Sequence, residues 1–130
     1  MSYSRTRLVV TAVALLLIAG CAGRGASTNP AGQSVFQTGI ASYYHSSLHG
    51  NTTANGEVYD ENELTAAHRS LPFGTEIRVR NLENGKSVRL RVNDRGPFVS
   101  GRIVDVSYRA AQILDFVRQG LVDVTIEIVQ

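Results

Sequence analysis

Four side chains able to carry protons stand close to turn-forming residues in this 130-residue chain: Glu57, His68, Asp94 and Asp105. Carboxyl and imidazole groups give a proton to a leaving oxygen or take one from an attacking hydroxyl, which is general acid–base chemistry. Three of them sit in short polar runs, Thr52-Thr53-Ala54-Asn55-Gly56-Glu57, Leu64-Thr65-Ala66-Ala67-His68 and Val92-Asn93-Asp94-Arg95-Gly96-Pro97-Phe98. Asp94 ends an alternating segment just before a Gly-Pro turn, so its carboxyl emerges where a strand stops; it either serves a reaction or bonds its own turn. Asp105 lies between Val104 and Val106, where desolvation raises a carboxyl pKa and keeps a proton available; the alternative is a carboxyl that caps the helix after it. Glu57 either projects from its turn into a groove or is solvated there. His68 either orients a carboxylate and shuttles a proton or simply hydrogen-bonds within the fold.

Other chemistries find little support. His45, His49, Asp60 and His68 do not stand at metal-ligand spacing, and no metal or cofactor is expected. There is no phosphate-cradling glycine loop and no Gly-x-Ser-x-Gly elbow. The only cysteine is Cys21, so no intramolecular disulfide can form and the fold rests on its core.

The elements that must position these residues are mostly strands. Ile77 and Val79 alternate with Glu76, Arg78 and Arg80, and Val88, Leu90 and Val92 alternate with Arg89 and Arg91, the period of half-buried strands. Asn84-Gly85 between them marks a hairpin turn. Val122, Val124, Ile126 and Ile128 alternate with Asp123, Thr125 and Glu127, giving a third strand. Ser107 before Tyr108-Arg109-Ala110-Ala111-Gln112-Ile113-Leu114 predicts an N-capped short helix that packs Ala111, Leu114 and Ala110 inward. Tyr43 and Tyr44 occupy a strand-like segment, so one ring faces a groove, able to stack on a sugar, and the other faces the core. The pattern describes a small β-barrel.

Several words in this chain occur together in one family: Gly39-Ile40-Ala41-Ser42-Tyr43-Tyr44, His49-Gly50, Thr53-Ala54-Asn55-Gly56-Glu57, Leu64-Thr65-Ala66-Ala67-His68, Leu71-Pro72-Phe73-Gly74-Thr75, Asn93-Asp94-Arg95-Gly96-Pro97-Phe98 and Arg102-Ile103-Val104-Asp105-Val106-Ser107. From about Gly39 to Val129 the chain resembles the rare lipoprotein A family of bacterial envelope proteins. The resemblance implies a mainly β fold, a six-stranded double-psi β-barrel with one or two short helices. It implies a lytic transglycosylase that cleaves peptidoglycan glycan strands, stripped of stem peptides by an amidase acting first, to anhydro-muramic ends. Asp94 or Asp105 is then the acid/base, with Glu57 and His68 tuning it, and Tyr43, Tyr44, His49, Asn55 and Arg95 binding glycan. Expansins share this barrel and dispense with turnover, so the alternative is a non-catalytic glycan-binding or wall-loosening module. His45-Ser46-Ser47 departs from the Gly- and Pro-containing loop common in relatives. The chain ends directly after the last strand, so a C-terminal septal glycan-binding domain, and septal localisation, are not expected.

Ahead of this domain, Arg5 and Arg7 precede an apolar stretch of 12 residues, Leu8 to Ala19, too short for a membrane span, which needs about 20, and suited to a secretory signal over residues 1–20. Leu17-Ile18-Ala19-Gly20-Cys21 resembles a bacterial lipobox, which implies lipid on Cys21 and membrane attachment. Ala22 after the cysteine resembles the sorting pattern of outer-membrane lipoproteins facing the periplasm. Residues 22–38 are rich in Gly, Ala, Ser, Asn and Gln and predict a flexible linker; Gly39 to Gln130 form one domain. The formal charge of +2 comes from 13 basic and 11 acidic residues. Without Arg5 and Arg7 the two counts balance, which removes the support for a nucleic-acid partner.

Overall fold

The alternating segments pair into one closed sheet. The structure, a computed structural model, describes residues 34–129; the expected signal, the lipobox with Cys21 and the linker up to residue 33 lie outside these. Six strands, β1 (Val35–Tyr43), β2 (Thr65–Ala67), β3 (Glu76–Asn81), β4 (Ser87–Asp94), β5 (Arg102–Val106) and β6 (Val122–Ile128), close in the order β1-β5-β2-β4-β3-β6. β1 with β5 and β2 with β4 run parallel, and the remaining neighbours antiparallel. This is the double-psi β-barrel that the resemblance implies. Closure leaves no open sheet edge.

The β3–β4 hairpin forms as its periodicity predicts, with Ile77, Val79, Val88, Leu90 and Val92 buried, and Gly85 adopts φ +76° in the connection. The helix α1 (Tyr108–Leu114) is capped by Ser107, whose Oγ accepts the Ala110 N–H, and it buries Ala110, Ala111 and Leu114. A single 3₁₀ turn spans Ser46–Leu48. Aliphatic residues of all six strands, joined by Leu114 and Phe116, make one core.

Two expectations are corrected. The linker ends earlier than expected, because residues 35–38 belong to β1 and pair antiparallel with Thr125, Ile126 and Glu127; without them β6 would present unpaired backbone groups. The simple alternation of β6 fails at its end, where Ile128 is 40% exposed while Thr125 and Glu127 are buried. Their partners across β3 are Arg80 and Arg78, with long stems on the same outer face, and Arg78 reaches the Glu127 carboxylate at 3.7 Å.

Candidate active site

The barrel register lays four residues in one row across adjacent strands. Ser42 on β1 is opposite Asp105 on β5, Asp105 is opposite Ala67 on β2, and Ala67 is opposite Asp94 at the end of β4. Neighbouring strands lie about 4.8 Å apart, so the two aspartates stand two strand spacings from each other, about 10 Å at the backbone. Between them Ala67 offers only a methyl group, which leaves room for the longer side chains to approach over it.

Each carboxyl is held differently. Ser42 Oγ donates to Asp105 Oδ1. Burial, with the nearby charge of Asp94, raises the Asp105 pKa above the ordinary carboxyl value against the opposing pull of Ser42 and Arg102. Asp94 Oδ1 accepts the backbone N–H groups of Ala54 at 2.8 Å and Arg95 at 2.9 Å, and Oδ2 accepts the Tyr44 hydroxyl at 2.6 Å. Burial and this bond to Asp94 push the Tyr44 phenol far up, so it stays a donor. Ser107, not Asp105, caps the helix, so the capping alternative for Asp105 does not hold.

The remaining proton-carrying candidates are engaged elsewhere. Glu57 accepts both guanidinium arms of Arg91, at 2.7 and 2.9 Å, and the Asn93 amide at 3.1 Å. Those bonds lower its pKa to about 2, so it is a fixed anion at neutral pH. The ring of His68 is buried. Its Nδ1 accepts the N–H groups of Ser70 and Leu71, both at 3.1 Å, which leaves the proton on Nε2, 2.9 Å from Gln37 Oε1. Burial first, then Arg95 and Arg69, lowers its pKa, and the neutral ring ties β1 to the turn after β2.

The expected glycan-binding residues divide in the same way. Tyr44 faces Asp94, whereas Tyr43 points the other way and donates to the Val117 carbonyl at 2.9 Å; both rings are half-buried, so neither is wholly core. Asn55 shapes its own turn by accepting from Thr53 Oγ and Glu57 N. Arg95 donates to the Leu71 carbonyl at 2.8 Å and lies 3.9 Å over the Phe73 ring. His49 accepts the Glu61 N–H and stands 4.0 Å from Asp60. Among the described residues no three metal-ligating side chains converge. Ser42, Arg91 and Tyr59 escape the sequence reading. Ser42 lies inside a family word, two residues from Tyr44, and Arg91 reads only as an outward strand position. Tyr59 packs its ring 4.5 Å from that of Tyr44.

The row therefore presents a half-buried carboxyl whose pKa is raised facing a second carboxyl fixed by three donors, an arrangement suited to moving one proton. The "Endolytic peptidoglycan transglycosylase RlpA" of Neisseria meningitidis serogroup A is 57% identical over 91 residues, 70% of this chain and 38% of the relative. The protein of the same name from Campylobacter jejuni is 50% identical over 91 residues, 70% of this chain and 33% of the relative. The chain thus spans about 33 to 38% of the length of these relatives. Among solved structures, an expansin from Clavibacter michiganensis superposes with a TM-score of 0.57 at 24% identity, over 72% of this chain and 50% of that one. The Streptomyces papain inhibitor superposes at 0.55 and 24% identity, over 74% and 97%. Both share the fold. The profile of the family described as "Lytic transglycolase" matches residues 36–126, and the chain belongs to that family.

Proposed function

We propose that this domain cleaves peptidoglycan glycan strands as a lytic transglycosylase, with Asp105 as the acid/base. The observation that carries the reading is the Ser42–Asp105–Ala67–Asp94 row, in which burial favours a proton on Asp105 while Asp94 stands fixed beside it. The names of the relatives supply the substrate class. Asp105 gives its proton to the glycosidic oxygen between the muramic acid and glucosamine rings, and the bond to the anomeric carbon breaks. Positive charge then grows on the sugar ring, where the Asp94 carboxylate stabilises it. The Asp105 carboxylate next takes the proton of the same sugar's C6 hydroxyl, whose oxygen bonds the anomeric carbon to close the anhydro-muramic end. One carboxyl returns to its starting state without water, unlike ordinary hydrolysis.

In this reading Glu57 and Arg91 brace the turn that supplies the Ala54 N–H, and His68 braces the other wall. The substrate is glycan stripped of stem peptides, so an amidase acts first. A lipid on Cys21 holds the domain in the cell envelope, at the outer membrane facing the periplasm.

Mass spectrometry of material released from sacculi, intact and amidase-stripped, tests the proposal on the full-length protein. Anhydro-muramic ends should appear, and Asp94→Asn and Asp105→Asn should each reduce them at least about 100-fold while still binding sacculi. Release at the wild-type rate by either variant would overturn the assignment of that residue. Binding without any release by the unaltered protein would make this a glycan-binding module.

A further inference from the structure

The mechanism uses one side of the end of β1 and leaves the other unexplained. There a cavity of about 440 Å³ is lined by Tyr43, His45, Ser46, Glu61, Tyr108 and Val117, within the range of about 300 to 1,000 Å³ usual for small-molecule sites. Two of its walls are aromatic, Tyr43 and Tyr108 with ring centroids 6.0 Å apart. Its polar groups are of both kinds. The Glu61 carboxylate makes no hydrogen bond or ion pair among the described residues, so it is an open acceptor. His45 Nδ1 accepts the Ser47 N–H at 3.2 Å, which leaves Nε2 to carry the proton of the neutral ring as an open donor.

Aromatic faces with a donor and an acceptor match the alternating hydroxyls and apolar faces of a pyranose. An anion would be opposed by the Glu61 carboxylate. The cavity is also joined to Asp94 through a chain of contacts. The Tyr108 N–H donates to the Tyr59 hydroxyl at 3.1 Å, Tyr59 packs on Tyr44, and Tyr44 holds Asp94.

We propose that this cavity is a second sugar-binding position, taking an N-acetylated amino-sugar ring of the same strand that the carboxyl pair cleaves, so that strand length governs affinity. The proposal rests on the glycan reading above. Both ends of one strand are then held, one at Asp94 and Asp105 and the other between Tyr108 and Glu61.

Titration calorimetry of the full-length protein with β-1,4-linked N-acetylglucosamine oligomers of increasing length, alongside kinetics on amidase-stripped strands, tests it. Tyr108→Ala and Glu61→Ala should each weaken binding of long oligomers about five- to tenfold and leave the shortest unchanged. They should raise KM by the same factor at constant kcat. Tyr108→Phe keeps the ring and should bind nearly as the unaltered protein does. Should Tyr108→Ala fail to fold, Glu61→Ala decides, since its carboxylate holds nothing else in place. Unchanged affinity for long oligomers in Glu61→Ala and in any folded Tyr108→Ala would overturn the cavity. If the unaltered protein releases no product yet cavity variants lose oligomer binding, the cleavage mechanism fails and the cavity stands.

Discussion

Glu57 shows how far a residue's setting departs from its type. As a carboxylate after Asn-Gly it is a candidate acid, yet the Arg91 fork and Asn93 lower its pKa from 4.5 to about 2. A folded-state pKa below the unfolded one means that the ion pair supports the fold fully above about pH 4.5, and that this support is lost as pH falls toward 2. The urea midpoint of the unaltered protein should therefore fall through that window. Glu57→Gln should be less stable than the unaltered protein at neutral pH and show a flatter acid limb, read from urea midpoints at a series of pH values. An equally steep acid limb in Glu57→Gln would remove the ion pair from this account. Asp105 moves the opposite way because, among the described residues, Ser42 alone bonds it directly and burial dominates.

At the scale of elements, the junction of β5 and α1 fixes Asp105. Ser107, two residues on, is fully buried, caps α1 through Ala110 N, and donates to the Glu63 carbonyl at 2.5 Å. Ser107→Ala removes both bonds and should cost about 1 to 2 kcal/mol, the upper part of the range for a lost helix cap, measured by urea denaturation. Among the described residues, the hydrogen-bond partners of both carboxyls lie outside the helix, so product release by the folded variant should stay near the unaltered level. A stability change below about 0.3 kcal/mol would show that the cap adds little in this buried setting.

For the whole molecule, closure of the barrel is what assembles the row of Ser42, Asp105, Ala67 and Asp94. Gly39 lies at the seam where β1 meets β5, and a Cβ there would stand 2.6 Å from Ile103 Cγ2 and 3.3 Å from the Gly101 carbonyl. Ile103 is β-branched and buried, so it cannot swing away freely. Gly39→Ala should cost about 1 to 3 kcal/mol by overpacking and lower thermal stability of the entire domain in one transition, checked by calorimetry. A separate early transition confined to β1 would show that the strand opens independently of the barrel.

Much of this architecture is legible in the sequence. The period-two runs of β3 and β4 set which side chains face the core, and Ser107 with Ala110, Ala111 and Leu114 specifies the helix, because these signals act between residues close along the chain. The placement of Asp94 at a strand end is equally local. Tertiary structure alone decides that Asp94 and Asp105 share Ala67 as a register partner, since the pairing of β2 with β4 and β5, strands distant along the chain, is set by closure. Glu57 meets Arg91 across 34 positions and His68 meets Gln37 across 31, long-range partners on which the proposed bracing role of both rests. Residue type gives each group its chemistry, but burial and long-range partners determine whether its proton is held, lost or free to move.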